Sequence, residues 1–306
     1  IAMAFLPIPA FLVMVFYVVM YALNMSTVPM LTMIAMNYIN EGTYVNFGLA
    51  RGIGSASWAT SALIFGQAVS FLGANILSIA YCVFALVTLF ILYHLPESKI
   101  TKTKTEEVQE EGSVVTVIKK YKIFFFLLLG FCFMFSGATA IGTYLINIVK
   151  SLGGNTSLYG VAMFAMAFSE LPVMMTVPKL MKKFNSVTLI LVASIFYLCR
   201  NYTIGLAPNL IVLIIGMMFQ GLSYGLFTGV ITYYVTYNLD TQDQMSGQTM
   251  IGIMTSGIGS TLGNVLGGVL QDTIGLNALF VFVYLMTAIG AIIIFICKFM
   301  SMKVKK

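Results

Sequence analysis

Long apolar runs separated by short polar breaks leave few folds open to this chain. The runs lie near 11–39, 47–70, 75–94, 123–149, 157–178, 187–206, 210–236, 245–271 and 276–299. At 1.5 Å per residue each is long enough to cross about 30 Å of hydrocarbon. Charged residues make up 8% of the 306 positions and hydrophobic ones 59%, whereas a soluble domain carries about 25% charged residues. A water-facing surface cannot be built from such a chain. A membrane β-barrel would alternate apolar and polar residues in segments of about ten, and the unbroken runs exclude it. The sequence predicts an all-α polytopic membrane protein with about nine transmembrane helices. Ile1–Leu6 reads as the tail of an earlier span ended by Pro7 and Pro9, so the chain is expected to be a fragment lacking its natural start.

Lysine placement sets the expected orientation. The 97–122 stretch holds six lysines, the turn 179–186 three, and the tail adds Lys303, Lys305 and Lys306. Counting spans puts all three on one side, the cytoplasm, while the opposite loops hold only Lys150 and Asp272 as charges. The net charge of +6 therefore reflects topology, and no nucleic-acid partner is implied. The mixed charge of 97–122 marks a solvated loop. Three spans, this loop and six more spans suggest a six-plus-six architecture whose first three helices are missing. Residues 1–94 are the remainder of an N-terminal bundle, from the tail of helix 3 to helix 6. Residues 95–122 form a central cytoplasmic loop, and 123–306 a C-terminal six-helix bundle. Paired bundles of this kind hold their solute near the membrane midplane.

No enzyme motif is present: there is no GxSxG, no GxxxxGK[ST], no HExxH and no Cys/His cluster. The four cysteines stand singly in apolar runs and read as packing residues, so neither metal nor cofactor is expected. Without a nucleotide site the chain cannot drive pumping with ATP. Membrane lipid, a small-molecule substrate and a proton are the partners that remain, and a monomer is expected.

Three charged residues lie well inside the spans: Arg51, Glu170 and Arg200. An intramembrane charge is costly and is a functional candidate by default. Arg51 and Trp58 are seven residues apart, two turns along one helix face, a cation and an aromatic plate suited to a polyhydroxylated or ring-shaped solute. Equally, Arg51 can snorkel to the cytoplasmic surface with Trp58 as packing. Glu170 and Arg200 fall on sequential antiparallel helices. They can form a plain ion pair, or Glu170 can exchange a proton as Arg200 or substrate approaches and leaves. Pro172 follows, where the helix is expected to bend. Asn147, Gln220, Ser223, Tyr224 and Tyr144 are polar groups able to line the same cavity or simply to bond between helices. Gly252, Gly257, Gly259, Gly263, Gly267 and Gly268 read as a packing face.

FGLARGIGSASWA at 47–59 carries a resemblance. It is similar to the lactose-permease-like sugar/proton symporters of the major facilitator superfamily and to the related nucleoside and phenylpropionate permeases. In those permeases a phenylalanine-glycine pair, an arginine and a tryptophan stand at the same spacing. The resemblance implies that Arg51 bonds solute hydroxyls and Trp58 stacks on a sugar ring. Arg200 falls where the permeases have the arginine that assists deprotonation, and Glu170 one turn after their bridging acid. Gln220 and Ser223 in MFQGLSYGLFTG (218–229) stand where the permeases place a histidine and a proton-carrying glutamate. The expected function is proton-coupled import of a sugar or nucleoside by alternating access, with Arg51, Trp58, Asn147 and Gln220 at the substrate and Glu170 and Arg200 coupling the proton. An exporter of the same fold, or a non-transporting membrane sensor, are the alternatives.

Overall fold

Asparagine side chains decide where several of the apolar runs begin to wind. Oδ1 of Asn46, Asn155, Asn185 and Asn209 accepts the backbone N–H of Leu49, Leu158, Val187 and Val212 at 2.9–3.1 Å, satisfying one orphan donor of each first turn. The computed structural model describes residues 9–43, 46–73, 75–96 and 113–303. The earlier-span tail expected at Ile1–Leu6, the charged stretch 97–112 and the closing Lys305 and Lys306 lie outside them. Among the described residues the elements are α1 (Ala10–Asn40), α2 (Phe47–Leu72), α3 (Asn75–Tyr93), α4 (Val114–Lys120), α5 (Lys122–Ser151), α6 (Thr156–Lys183), α7 (Ser186–Gly205), α8 (Leu210–Met218), α9 (Leu226–Asn238), α10 (Gln244–Gly252), α11 (Ser260–Thr273) and α12 (Leu276–Lys303). A π turn at Gly221–Gly225 joins α8 to α9, and a second at Ile253–Gly259 joins α10 to α11.

Eight of the resulting rods are long and apolar enough to cross a membrane. The ninth expected span, α2, is 26 residues long. Its Gly, Ser and Thr content and Arg51 make it less apolar, and it is not among the eight. The chain forms two units, residues 1–45 with 58–109 and residues 46–57 with 110–306. In the first, Phe65 of α2 meets Phe84 of α3 edge-on at 6.2 Å, and the Tyr38 hydroxyl donates to the carbonyl of Pro96. Phe11, Met14, Phe16, Val18 and Leu23 of α1 are exposed, an apolar surface of the kind that lipid solvates.

The second unit is assembled through small residues. A Cβ on Gly263 of α11 would stand 2.2 Å from the Ser136 carbonyl of α5, and one on Gly290 of α12 would stand 2.3 Å from that of Gly130. Such contacts leave no room for a side chain and let α5 lie directly against both helices. The expected packing face of the glycine-rich span is therefore real at Gly259, Gly263, Gly267 and Gly268. Gly252 and Gly257, at the second π turn, meet no neighbouring helix. Helix α6 runs unbroken through Pro172 and Pro178. Gly153 and Gly275, with φ of 78° and 112°, turn the chain after α5 and α11, a conformation other residues adopt only with strain.

The end of the expected central loop is ordered differently from the sequence reading. Ser113 caps a short helix, α4, which buries Val117 completely. Lys120 Nζ then reaches Asp240 Oδ2 at 2.6 Å and Asp243 Oδ2 at 2.7 Å. The Tyr121 hydroxyl donates to Asp243 Oδ2 at 2.9 Å and accepts the Asp240 N–H at 3.0 Å. This clip, invisible in the charge pattern of 97–122, ties the entry of α5 to the connection between α9 and α10. Lys120 holds the Asp240 carboxyl below its ordinary range, and Asp240, then Asp243, hold the Lys120 ammonium above its own. The Asp240 contribution is thus present above about pH 4 and lost as pH falls through the depressed value. The Lys120 contribution is present below about pH 10 and lost as pH rises through the raised one. Proteolysis at 113–121 is expected to be flat with pH between these limits, to quicken in acid, and to quicken at neutral pH in Lys120→Met. Equal cleavage of Lys120→Met and the parent would mean that the clip holds nothing.

Candidate functional site

The site starts with two glycines that let α2 touch α6. A Cβ on Gly48 would stand 1.9 Å from the Met174 carbonyl oxygen, and one on Gly52 3.1 Å from the Leu171 Cα. The four-residue spacing puts both glycines on one face, so the first turns of α2 lie flat on α6. Ser55, the next turn on that face, is laid over Glu170, and its Oγ donates to Glu170 Oε2 at 2.5 Å.

The first π turn approaches the same carboxylate from another side. A Cβ on Gly221 would stand 2.1 Å from the Ser169 carbonyl, and the Gly221 N–H donates to Ser169 Oγ at 3.0 Å. Gly225 passes Glu170 with its Cβ position 3.6 Å from the glutamate Cα. Gln220, just ahead of the turn, hydrogen-bonds the Glu170 carboxylate, while its Oε1 has no partner. Within the turn, Tyr224 accepts a long 3.4 Å contact from Arg51 Nη2. π turns recur where a helix must present groups to a functional site, and here five residues deliver two close glycines and a phenol. The Glu170 carboxylate is thereby 5% exposed and held by neutral groups.

Arg200 answers to a separate chain of bonds. It is 1% exposed, and its Nη1 donates to Asn201 Oδ1 at 2.8 Å. Asn201 Nδ2 donates to Thr287 Oγ1 at 2.7 Å, and that hydroxyl donates to the Val283 carbonyl at 2.6 Å. Gly137 of α5 makes room, since its Cβ would stand 3.2 Å from Thr287 Oγ1. Arg200 Nε and the hydroxyl of Tyr197, one turn earlier, have no partner.

The plain ion pair between Glu170 and Arg200 does not form. The ion pairs of this unit among the described residues are Lys120–Asp240 and Lys120–Asp243. Ser55 and Gln220 occupy the carboxylate, and Asn201 turns the guanidinium toward α12. Both arginines still lie within electrostatic reach of Glu170.

Of the residues expected at a site, the structure thus gathers Arg51, Glu170 and Gln220, with Arg200 in the layer behind. Trp58 belongs to the first unit and is 53% exposed. Asn147 lies one turn from the end of α5, whereas Glu170 lies about 21 Å along α6 from the adjoining turn, so these two are not brought together. Ser223 bonds back to its own helix at the Phe219 carbonyl, and Tyr144 bridges to the Asn264 carbonyl of α11. Ser55, Asn201 and Thr287 are the contributors that the sequence reading did not assign. For Asn201 the available signal was its place beside an intramembrane arginine.

The profile of the family described as "MFS_1 like family" matches residues 3–282. The maltose permease of Geobacillus stearothermophilus is 22% identical over 283 residues, which is 92% of this chain and 71% of that protein. Among solved structures, a variant of the E. coli fucose:proton symporter FucP superposes with a TM-score of 0.57 at 17% identity, over 82% of this chain and 68% of that one. The symporter shares the helical fold and the family profile spans nearly the whole sequence, so the chain belongs to the MFS_1-like family and is a multi-pass membrane transporter of the major facilitator fold.

Proposed function

We propose that this transporter imports a small polar solute, of sugar or nucleoside kind, together with protons by alternating access. The observation that carries this reading is Glu170, a carboxylate buried at membrane depth between two arginines yet held by Ser55 and Gln220. A carboxylate without a contact cation can change protonation without first breaking an ion pair. Two similar proteins, a maltose permease and a fucose:proton symporter, point the same way. Arg51 and Gln220 hold the solute, Glu170 takes the proton and Arg200 tunes it. The assignment of Trp58 and Asn147 to the solute rests on the sequence and the family resemblance. The transporter works as a monomer in the lipid of the cytoplasmic membrane, with the 97–122 loop and the C-terminus on the cytoplasmic side, as the lysine distribution requires.

Glu170→Gln keeps the shape of the side chain and removes its proton site. In proteoliposomes a gradient of one pH unit supports about tenfold accumulation by one-proton symport. The variant is expected to lose that accumulation while still exchanging labelled for unlabelled solute at equal concentrations. Parent-like accumulation in Glu170→Gln would overturn the assignment.

A further inference from the structure

The charges gathered around Glu170 do not balance. Within electrostatic reach of Glu170 stand two cations, Arg51 and Arg200, against its single carboxylate. Lys298, little more than one turn from the end of α12, is tied to Thr188 at 2.6 Å and can place its charge toward the surface. The excess is one positive charge with Glu170 ionised and two with it protonated. A proton carried with a neutral solute would thus move the loaded transporter at the higher charge and return it at the lower. A proton carried with a monoanion leaves the excess the same in both directions.

The two arginines differ in what they can offer. Arg200 is sealed in, with Nη1 committed to Asn201. Arg51 is half-buried, and its bond within the unit is the 3.4 Å contact to a neutral phenol, too long to be strong. A guanidinium presents a planar fork of donors that a carboxylate matches with two parallel bonds. Gln220, like Arg51, acts on Glu170, and its Oε1 is a buried acceptor without a donor, the counterpart of a hydroxyl.

The geometry points to a solute that carries one carboxylate as well as hydroxyls, a sugar acid or similar hydroxy acid, bound by its carboxylate at Arg51 and by a hydroxyl at Gln220. This rests on the symport reading above and narrows its substrate. A carboxylate at Arg51 stands beside Glu170, and two neighbouring carboxylates favour a shared proton, so anion and proton enter together. One monoanion and one proton carry no net charge, so membrane voltage does not drive the uptake.

The test compares matched pairs in proteoliposomes under an imposed pH gradient: glucose with glucuronate, galactose with galacturonate, and glucose 6-phosphate as a phosphate ester. The acid of a pair is expected to accumulate about tenfold over its neutral partner for one pH unit, with no change when a potassium–valinomycin voltage is imposed. Arg51→Gln is expected to abolish the preference and Arg51→Lys to keep part of it. In detergent, the acid but not the neutral sugar is expected to raise the melting temperature of the parent, a readout independent of reconstitution. Accumulation of the neutral sugar without the acid would overturn this inference and leave the symport reading standing. Preference for the phosphate ester would overturn the carboxylate. An acid that binds and exchanges without responding to the pH gradient would overturn the symport reading while leaving the charge class intact. The absence of both transport and thermal shift with every sugar and sugar acid tested would overturn the inference itself.

Discussion

Gly290→Ala is expected to lower the thermal stability of the purified protein in detergent by about 1–3 kcal/mol, the usual range for an overpacked core. The new methyl group would stand 2.3 Å from the Gly130 carbonyl oxygen and 2.6 Å from Met134 Cγ. The methionine can move aside, but the carbonyl belongs to the backbone of α5, so the two helices must part. Parting them loosens Ile294, Val283 and Met134, all completely buried. The control is Gly252→Ala, where a Cβ meets nothing within 4 Å. There the better helix propensity of alanine should leave stability unchanged or raise it by about 0.5–1 kcal/mol. If Gly290→Ala melts with the parent while Gly252→Ala behaves as stated, α5 and α12 do not meet as closely as described.

The second large effect is expected at Asn201. Asn201→Leu removes the acceptor of a guanidinium that is 1% exposed, leaving a buried charge with less to hold it. Removing one partner of a buried charged pair costs about 3–5 kcal/mol, and a hydrogen bond to a charged group about 1.5–3 kcal/mol. The lower range applies, because asparagine is neutral. Thr287→Val, close in shape, takes away the acceptor of Asn201 Nδ2 and the hydroxyl's own bond to the Val283 carbonyl and should cost about 1–2 kcal/mol, with Thr287→Ser restoring most of it. The double variant Arg200→Met with Asn201→Leu removes both members, and it should recover stability relative to Asn201→Leu alone. A double-mutant cycle on melting in detergent measures the coupling. Additive losses would show that Asn201 does not support Arg200.

Much of this architecture could be read from the chain. The spans follow from apolar length, and Arg51, Glu170 and Arg200 announce themselves because few charges are tolerated at that depth. Their partners were harder to see, for physical reasons. Ser55 resembles the other small residues of α2, and only the docking of Gly48 and Gly52 on α6 gives it a carboxylate to meet. Asn201 and Thr287 are 86 residues apart, and no local pattern links them. The ion pair between Glu170 and Arg200, one of two readings open in the sequence, rests on sequential helices and opposite charge. Which neighbour a charged group takes, however, is decided by rotation about the helix axis, and that rotation is set by glycine contacts. The asparagine caps were legible in principle, each lying just ahead of an apolar run, but boundaries taken from hydropathy alone pass over them. The Lys120 clip was hidden because its aspartates, Asp240 and Asp243, lie far along the chain from Lys120.

The π turn ahead of α9 has an angular effect on everything that follows it. The Leu226 N–H bonds back to the Gly221 carbonyl, five residues earlier, so the turn holds one residue more than an α turn. A residue subtends about 100° around a helix axis. The faces of α8 and α9 are therefore out of phase by that amount, although the rod continues in one direction. Rewinding the turn as α-helix with every residue kept would turn α9 by that amount and lengthen the rod by only about 1.5 Å. Val230 and Ile231, both completely buried after the turn, would swing by roughly a quarter of a circle, and the face that α9 now packs inward would look elsewhere. In this helix a single residue sets direction far more than it sets length.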